Sequence, residues 1–268
     1  MTRPISKAVK NRILEGDLWK GKQYPIDEHI EPWHNTITLV IGERNSGKTY
    51  STLQQVLSIF VDNMNAKEDN EIQDPITGEV EVIPPNERKN YNYQYCLYIS
   101  GGDVDDSVSK SRTPETDMTV SKFLFPKGTF ASVSTRDPNR LLQLISSVED
   151  SNRKNNKESI IIFDDSMYVL QGQSKRAQAI QSKLFKNRQP QITYFILLQD
   201  EVGVSPAMKH NANFLKLYGG LATESWNRLW KRIRPPDGLT YEEYKTLSSK
   251  DYLLINLINK TYERVNRE

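Results

Sequence analysis

Apolar positions fall into two rhythms along the chain: short, nearly continuous runs, and stretches that repeat every three or four residues. Ile37, Leu39, Val40 and Ile41 form one run; "SIIIF" and "ITYFILL" form two more. Runs that are apolar at nearly every position suit strands covered on both faces, as in a parallel sheet between helices. Residues 94 to 100, "TFASVS" at 129 to 134 and "DYLLINLI" are further strand candidates. The helical rhythm appears between them. "KTYSTLQQVLSIF" places Leu53, Val56, Leu57 and Phe60 on one face, and "DPNRLLQLISSVEDS" does the same with Leu141, Leu142, Leu144, Ile145 and Val148. In the second of these, Asp137 is placed to cap the helix and Pro138 to open its first turn. A polar helix is expected around "SKRAQAIQSKLFKN", and Thr240 with Glu243 has capping-box spacing before another short one. Strands alternating with helices predict an α/β fold of three layers, with a mostly parallel central sheet flanked by helices.

The first strand runs directly into Gly42, Glu43, Arg44, Asn45, Ser46, Gly47, Lys48 and Thr49, which match the phosphate-loop pattern GxxxxGK[ST] at every fixed position. Backbone amides must curl inward around a phosphate, and glycine permits that curl without a Cβ clash. Lys48 would supply a mobile positive charge to the β and γ phosphates, and the Thr49 hydroxyl would ligate Mg²⁺. The helix that follows points its positive end at the same anion. Gly42, Asn45, Ser46, Gly47, Lys48, Thr49 and Tyr50 are therefore the candidate nucleotide-binding residues, with Thr49 and Asp164 as the metal pair.

Asp164 ends the "SIIIFDD" strand where a Walker B acid would stand, and Asp165 follows where hydrolytic motors of the ASCE division carry a water-polarising glutamate. The alternative for Asp165 is the N-terminal cap of the next helix. Gln199 closes the strand "QITYFILLQ" at the place of a γ-phosphate sensor, or merely ends that strand. Arg188 lies before the same strand, about 23 Å from its own nucleotide at roughly 3.3 Å per residue. It is either a solvated arginine or a finger for a neighbouring subunit.

Composition narrows the class. The 268 residues are 37% hydrophobic and 26% charged, which describes a globular protein with polar insertions, and one domain with insertions is expected. No apolar run approaches the roughly 20 residues that span a bilayer, and the N-terminus has no signal-peptide core. A single cysteine, Cys96, excludes an internal disulfide and fits a reducing compartment. Net charge is +2, but residues 62 to 89 carry eight acids against three bases. "EIQDPITGEVEVIP" within them alternates about a turn and predicts a hairpin. Residues 1 to 35 read as an arm and 62 to 93 as an acidic insertion. In "ESWNRLWKRIR" basic and aromatic residues could track a nucleic acid, although a helix with core tryptophans and solvated bases explains them as well. "GGDVDDSVSKSR" reads as a solvated loop, and His29, His34 and His210 lack ligand spacing.

With its elements in this order the chain resembles the genome-packaging ATPases of the FtsK/HerA superfamily, of the poxvirus and iridovirus type. The resemblance rests on "IGERNSGKT", "SIIIFDDS", "FKNRQPQITYFILLQ" and, more weakly, "YEEYKTLSSKDYLLINL". It implies a P-loop ATPase domain of the ASCE, RecA-like kind over residues 36 to 268, with a C-terminal extension from 222. It also implies ATP and Mg²⁺ as cofactors, with Lys48, Asp164, Asp165, Gln199 and Arg188 as the catalytic set. The expected partners are double-stranded DNA, further copies of the chain in a ring of five or six, and capsid or portal proteins. The expected location is the host cytoplasm, a viral factory or the virion. Paired aspartates depart from the usual Asp-Glu and leave the catalytic base open. Two other readings remain at this level: a nucleotide-dependent assembly switch, and a small-molecule kinase without DNA translocation. A GTPase is disfavoured because no Asn-Lys-x-Asp signature is present.

Overall fold

In the computed structural model the described residues are 35–68, 71–73, 80–82, 93–101, 129–166, 174–202, 205–231 and 234–266. The first apolar run forms β1 (Ile37–Ile41), all five residues buried. The phosphate-loop segment follows and opens α1 (Lys48–Glu68), whose Leu53, Val56, Leu57 and Phe60 are buried as the helical spacing requires. The predicted helix therefore runs on past residue 62. The acidic segment contains β2 (Glu71–Gln73) and β3 (Val80–Val82), which pair antiparallel as the alternation predicts.

β4 (Tyr93–Ser100) and β5 (Phe130–Ser134) come next. α2 (Pro138–Asn155) has Pro138 in its first turn and is capped by the Asp137 carboxylate, which accepts from the Asn139 amide. Its Leu141, Ile145 and Val148 are buried, while Leu142 and Leu144 pack partly exposed against the same core. β6 (Glu158–Asp164) leads towards α3 (Lys175–Phe185), which Ser174 caps. β7 (Ile192–Leu198) is buried at all seven positions. The remaining elements are α4 (Pro206–Asn211), β8 (Phe214–Tyr218), α5 (Thr223–Trp230), α6 (Tyr241–Tyr244), β9 (Tyr252–Asn256) and β10 (Thr261–Val265).

Eight strands form one sheet in the order β10-β9-β8-β1-β7-β6-β4-β5. β8, β1, β7, β6, β4 and β5 are mutually parallel, and β9 and β10 extend the sheet antiparallel. Because side chains alternate across a strand, each central strand feeds two cores. On one face Val40, Tyr98, Ile162 and Leu197 meet α1; on the other Leu39, Ile161, Phe163 and Ile196 meet α2, α3 and the later helices. The result is the three-layer α/β arrangement expected, with a mostly parallel sheet between helices. Parallel strands at the centre bring the C-terminal ends of β1, β6 and β7 to one rim, where ligands of such sheets bind.

Three elements were not predicted. β8 was hidden by Lys216 in the middle of "FLKLY", a lysine only 2% exposed. Its ammonium bonds the Gln55 amide oxygen and lies 5.1 Å from the centre of the Tyr252 ring, which makes burial tolerable. β10 is an edge strand, mostly exposed, so its sequence carries no apolar run. α4 has six residues, too few to show periodicity. The tryptophans of "ESWNRLW" do face the core: Trp226 is buried and stacks on Tyr244, Trp230 packs against it edge-on, and Arg228 points outward. Thr240 accepts from the Glu243 amide, while Glu243 accepts from the Tyr262 hydroxyl instead of closing a reciprocal box. No helix of the described residues is long and apolar enough to cross a membrane. The arm, apart from Asn35, and the loop 102–112 fall outside the described residues.

Candidate nucleotide site

The loop between β1 and α1 is curled by its own backbone. Asn45 and Gly47 adopt left-handed φ values of 64° and 86°, reversing the chain so that α1 begins at Lys48. Ser46 is buried beneath the loop, and the amide of Gly42 donates to the Leu198 carbonyl at 3.1 Å, which ties the start of the loop to the end of β7. Gly42 is glycine for a steric reason. A Cβ there would lie 2.6 Å from the Cβ of Tyr218, which comes from β8 and fills the space behind the loop. The Tyr218 hydroxyl bonds Ser51 on the first turn of α1, so one tyrosine braces both ends of the curl. Tyr50 is half-buried on the same turn.

Lys48 Nζ donates to the carbonyls of Gly42 and Glu43 at 2.6 Å each, so the ammonium is held across the concave side of the loop. Burial pulls this lysine below its ordinary value, opposed by the carboxylates of Asp164, Asp165 and Glu43. A bound anion would relieve that cost.

Asp164 ends β6 and Thr49 begins α1, 115 residues apart in sequence, yet Thr49 Oγ1 donates to Asp164 Oδ2 at 2.7 Å. The backbone of Asp164 is anchored as well: the Gly101 amide and the Ser166 hydroxyl donate to its main-chain carbonyl at 2.9 and 3.1 Å. A hydroxyl and a carboxylate side by side at the mouth of an amide cradle are hard oxygen donors, the set that Mg²⁺ prefers. The residues present thus fit a magnesium nucleotide. Thr49 and Asp164 would hold the metal, and Lys48 with the curled amides would hold the phosphates. Among the described residues no group of three or more His, Cys, Asp and Glu side chains is placed to hold a metal by itself.

Asp165 is exposed beside Asp164 with φ at 50°, a conformation unfavourable for a residue with a Cβ. It does not cap α3, because Ser174 does. Instead its Oδ1 accepts from Gln199 Nε2 at 3.1 Å. The second acid and the amide at the end of β7 therefore meet at the same rim as the loop. Arg188 does not join them. It lies exposed in the turn before β7, at the opposite end of that buried strand. The turn is pinned by buried amides: Asn152 donates to the carbonyls of Pro190 and Gln191, and Asn187 to those of Asn35 and Ile192.

Tyr98 and Tyr218 escaped the sequence reading. Tyr98 lies in an apolar strand, where an aromatic residue is expected to be core, Tyr218 lies in β8, whose apolar run Lys216 interrupts, and each has its polar partner more than 60 residues away. Only the alternation of strand faces marked them as sharing the α1 side.

No family model matches the chain, and no curated protein matches it. Solved structures do share its fold. The DNA-packaging ATPase B204 from Sulfolobus Turreted Icosahedral Virus aligns with a TM-score of 0.60 at 16% identity, over 87% of this chain and 98% of that one. The genome packaging NTPase B204 from Sulfolobus turreted icosahedral virus 2 in complex with ATP-gammaS gives 0.60 at 15% identity, with the same coverage. The AMPPCP complex of the same NTPase gives 0.59 at 14%, again over 87% of this chain and 98% of that one.

Proposed function

We propose that this chain is an ATP-hydrolysing motor subunit that drives double-stranded DNA into a viral capsid. The bond between Thr49 and Asp164 carries the reading, because it joins the phosphate loop to the acid strand as a nucleotide triphosphatase requires. Support also comes from the likeness in fold to packaging NTPases seen with ATP analogues, and from the order of motifs along the chain.

In this reading Lys48 and the loop amides bind the β and γ phosphates, and the helix dipole of α1 adds to the field they meet. When bound, magnesium neutralises phosphate charge and fixes the leaving group. Asp165, next to Asp164, takes the proton of the attacking water, and its bond from Gln199 keeps the carboxylate turned towards the rim. Gln199 is thereby placed to sense whether the γ-phosphate is present, and the buried β7 would carry that information away from the site.

Arg188 acts in a neighbouring subunit. A ring of five or six copies would set the Arg188 turn of one subunit against the nucleotide rim of the next. The ring would meet a portal or capsid protein, in the host cytoplasm or a viral factory, and could travel in the virion.

The experiment is ATPase turnover with and without duplex DNA across a salt series, with ring formation followed by light scattering. DNA is expected to accelerate turnover, and less so at high salt. Turnover indifferent to DNA, with no nucleotide-dependent ring, would defeat the proposal. Mixing Lys48→Ala with Arg188→Ala subunits should restore part of the activity that each lacks alone, and no recovery would rule against a finger acting in trans.

A further inference from the structure

Asp164 has a further partner beyond the loop hydroxyl and its own backbone anchors. Tyr98, fully buried on β4, donates its hydroxyl to Asp164 Oδ2 at 2.6 Å. Strand register explains the reach. β4 and β6 pair parallel with Tyr98 opposite Ile162 and Ser100 opposite Asp164, so Tyr98 and Asp164 share the α1 face as diagonal neighbours. The length of a phenol spans that diagonal. Thr49 bonds the same oxygen at 2.7 Å.

We infer that Tyr98 is a positioning residue for the metal site: it locks the Asp164 carboxylate in the orientation that a magnesium nucleotide needs. A carboxylate accepts through two oxygens, and two donors converge on Oδ2, while no donor among the described residues takes up Oδ1. A hydroxyl at this distance to an ionised carboxylate is a strong, charge-assisted bond. Without it Asp164 retains one side-chain donor and is free to turn about χ2. The inference rests on the nucleotide-site reading, and Asp164 itself supplies the control.

The test is Tyr98→Phe, which keeps the ring in the core. Mn²⁺ affinity in the ADP complex, read by electron paramagnetic resonance, should weaken by about ten-fold, the size expected for losing an outer partner of a metal ligand. The Mg²⁺ concentration for half-maximal turnover should rise with it, while affinity for ADP in the absence of metal stays as in the wild type. Mn²⁺ affinity within two-fold of wild type, with only the melting temperature changed, would overturn the inference and leave Tyr98 a core residue. If Asp164→Asn also leaves Mn²⁺ affinity unchanged, the site reading itself fails. 3-Fluorotyrosine at position 98 keeps the phenol and covers the case in which Tyr98→Phe does not fold. Its ¹⁹F resonance should move when Mg²⁺ is added to the ADP complex, and not in Asp164→Asn; a signal indifferent to Mg²⁺ in the otherwise native protein overturns the inference.

Discussion

Gly42→Ala adds one methyl group, and the structure says where it goes. The new Cβ would lie 2.6 Å from Tyr218 Cβ, 3.1 Å from Tyr218 Cγ and 3.0 Å from Ser46 Oγ. Carbon atoms rest at about 3.5–4.0 Å, so the loop or the tyrosine must move by roughly 1 Å. The tyrosine is poorly placed to yield. It is fully buried, its hydroxyl bonds Ser51, its carbonyl accepts from the Tyr244 hydroxyl at 2.6 Å, and its strand pairs on both sides. The loop should therefore give way and carry its amides off the phosphate positions. A misplacement of this size costs on the order of 10²-fold in rate, or about 3 kcal/mol of transition-state stabilisation. Overpacking should remove a further ~1–3 kcal/mol of folding stability. Steady-state ATPase kinetics, calorimetric titration with a non-hydrolysable analogue and thermal melting would measure these effects. Gly238→Ala is the control: among the described residues its Cβ would meet only the Tyr262 hydroxyl, at 4.0 Å, though φ is 86°. It should cost about 1 kcal/mol of stability and leave nucleotide binding alone. If Gly42→Ala protein binds and turns over ATP within three-fold of wild type, Tyr218 is not a rigid floor for the loop and the steric argument is wrong.

Asp165→Gly should separate activity from stability: releasing the left-handed φ gains about 1 kcal/mol and a few degrees of melting temperature, while hydrolysis is lost and ATP binding kept. A lower melting temperature would mean that the Gln199 bond outweighs the strain. Lys48 makes binding pH-dependent. Its value is pulled down by burial, so charge is lost on alkaline titration before that of an ordinary lysine, and ATP affinity should fall with it. Over the interval between the lowered and the ordinary value the unfolded chain binds more protons at this site, so its contribution makes stability rise with pH. ATP binding in that interval should take up protons, detectable as a buffer-dependent calorimetric heat that vanishes in Lys48→Met. Asn152→Ala should cost about 2–3 kcal/mol in a urea melt, because it orphans the buried Pro190 carbonyl and the Ser159 hydroxyl and takes away one of the two donors to the Gln191 carbonyl, which keeps the Ser159 amide. A loss below 0.5 kcal/mol would show the turn holding itself.

By itself the sequence determined the elements whose chemistry is local. A phosphate loop is a contiguous device: one strand, one curl and one helix start carry the amides, the lysine and the hydroxyl together, so Gly42 to Thr49 could be picked out as the candidate from the sequence, and the strand, the curl and the helix start are where the pattern puts them. The apolar runs of β1, β6 and β7 announced a sheet covered on both sides for the same reason, since burial on two faces removes alternation. What only the tertiary structure decided are the pairings across the sheet. That Asp164 meets Thr49, that Asp165 receives Gln199 while Ser174 caps α3, and that Tyr98 and Tyr218 reach Asp164 and Ser51 from other strands all depend on strand order and register. A parallel sheet joins residues distant in sequence by setting separate strand ends along one rim, and nothing within a single strand encodes which strand lies beside it. Lys216 shows the converse: a charge that breaks the apolar run of β8 is accommodated only because Gln55 and Tyr252 arrive from other elements.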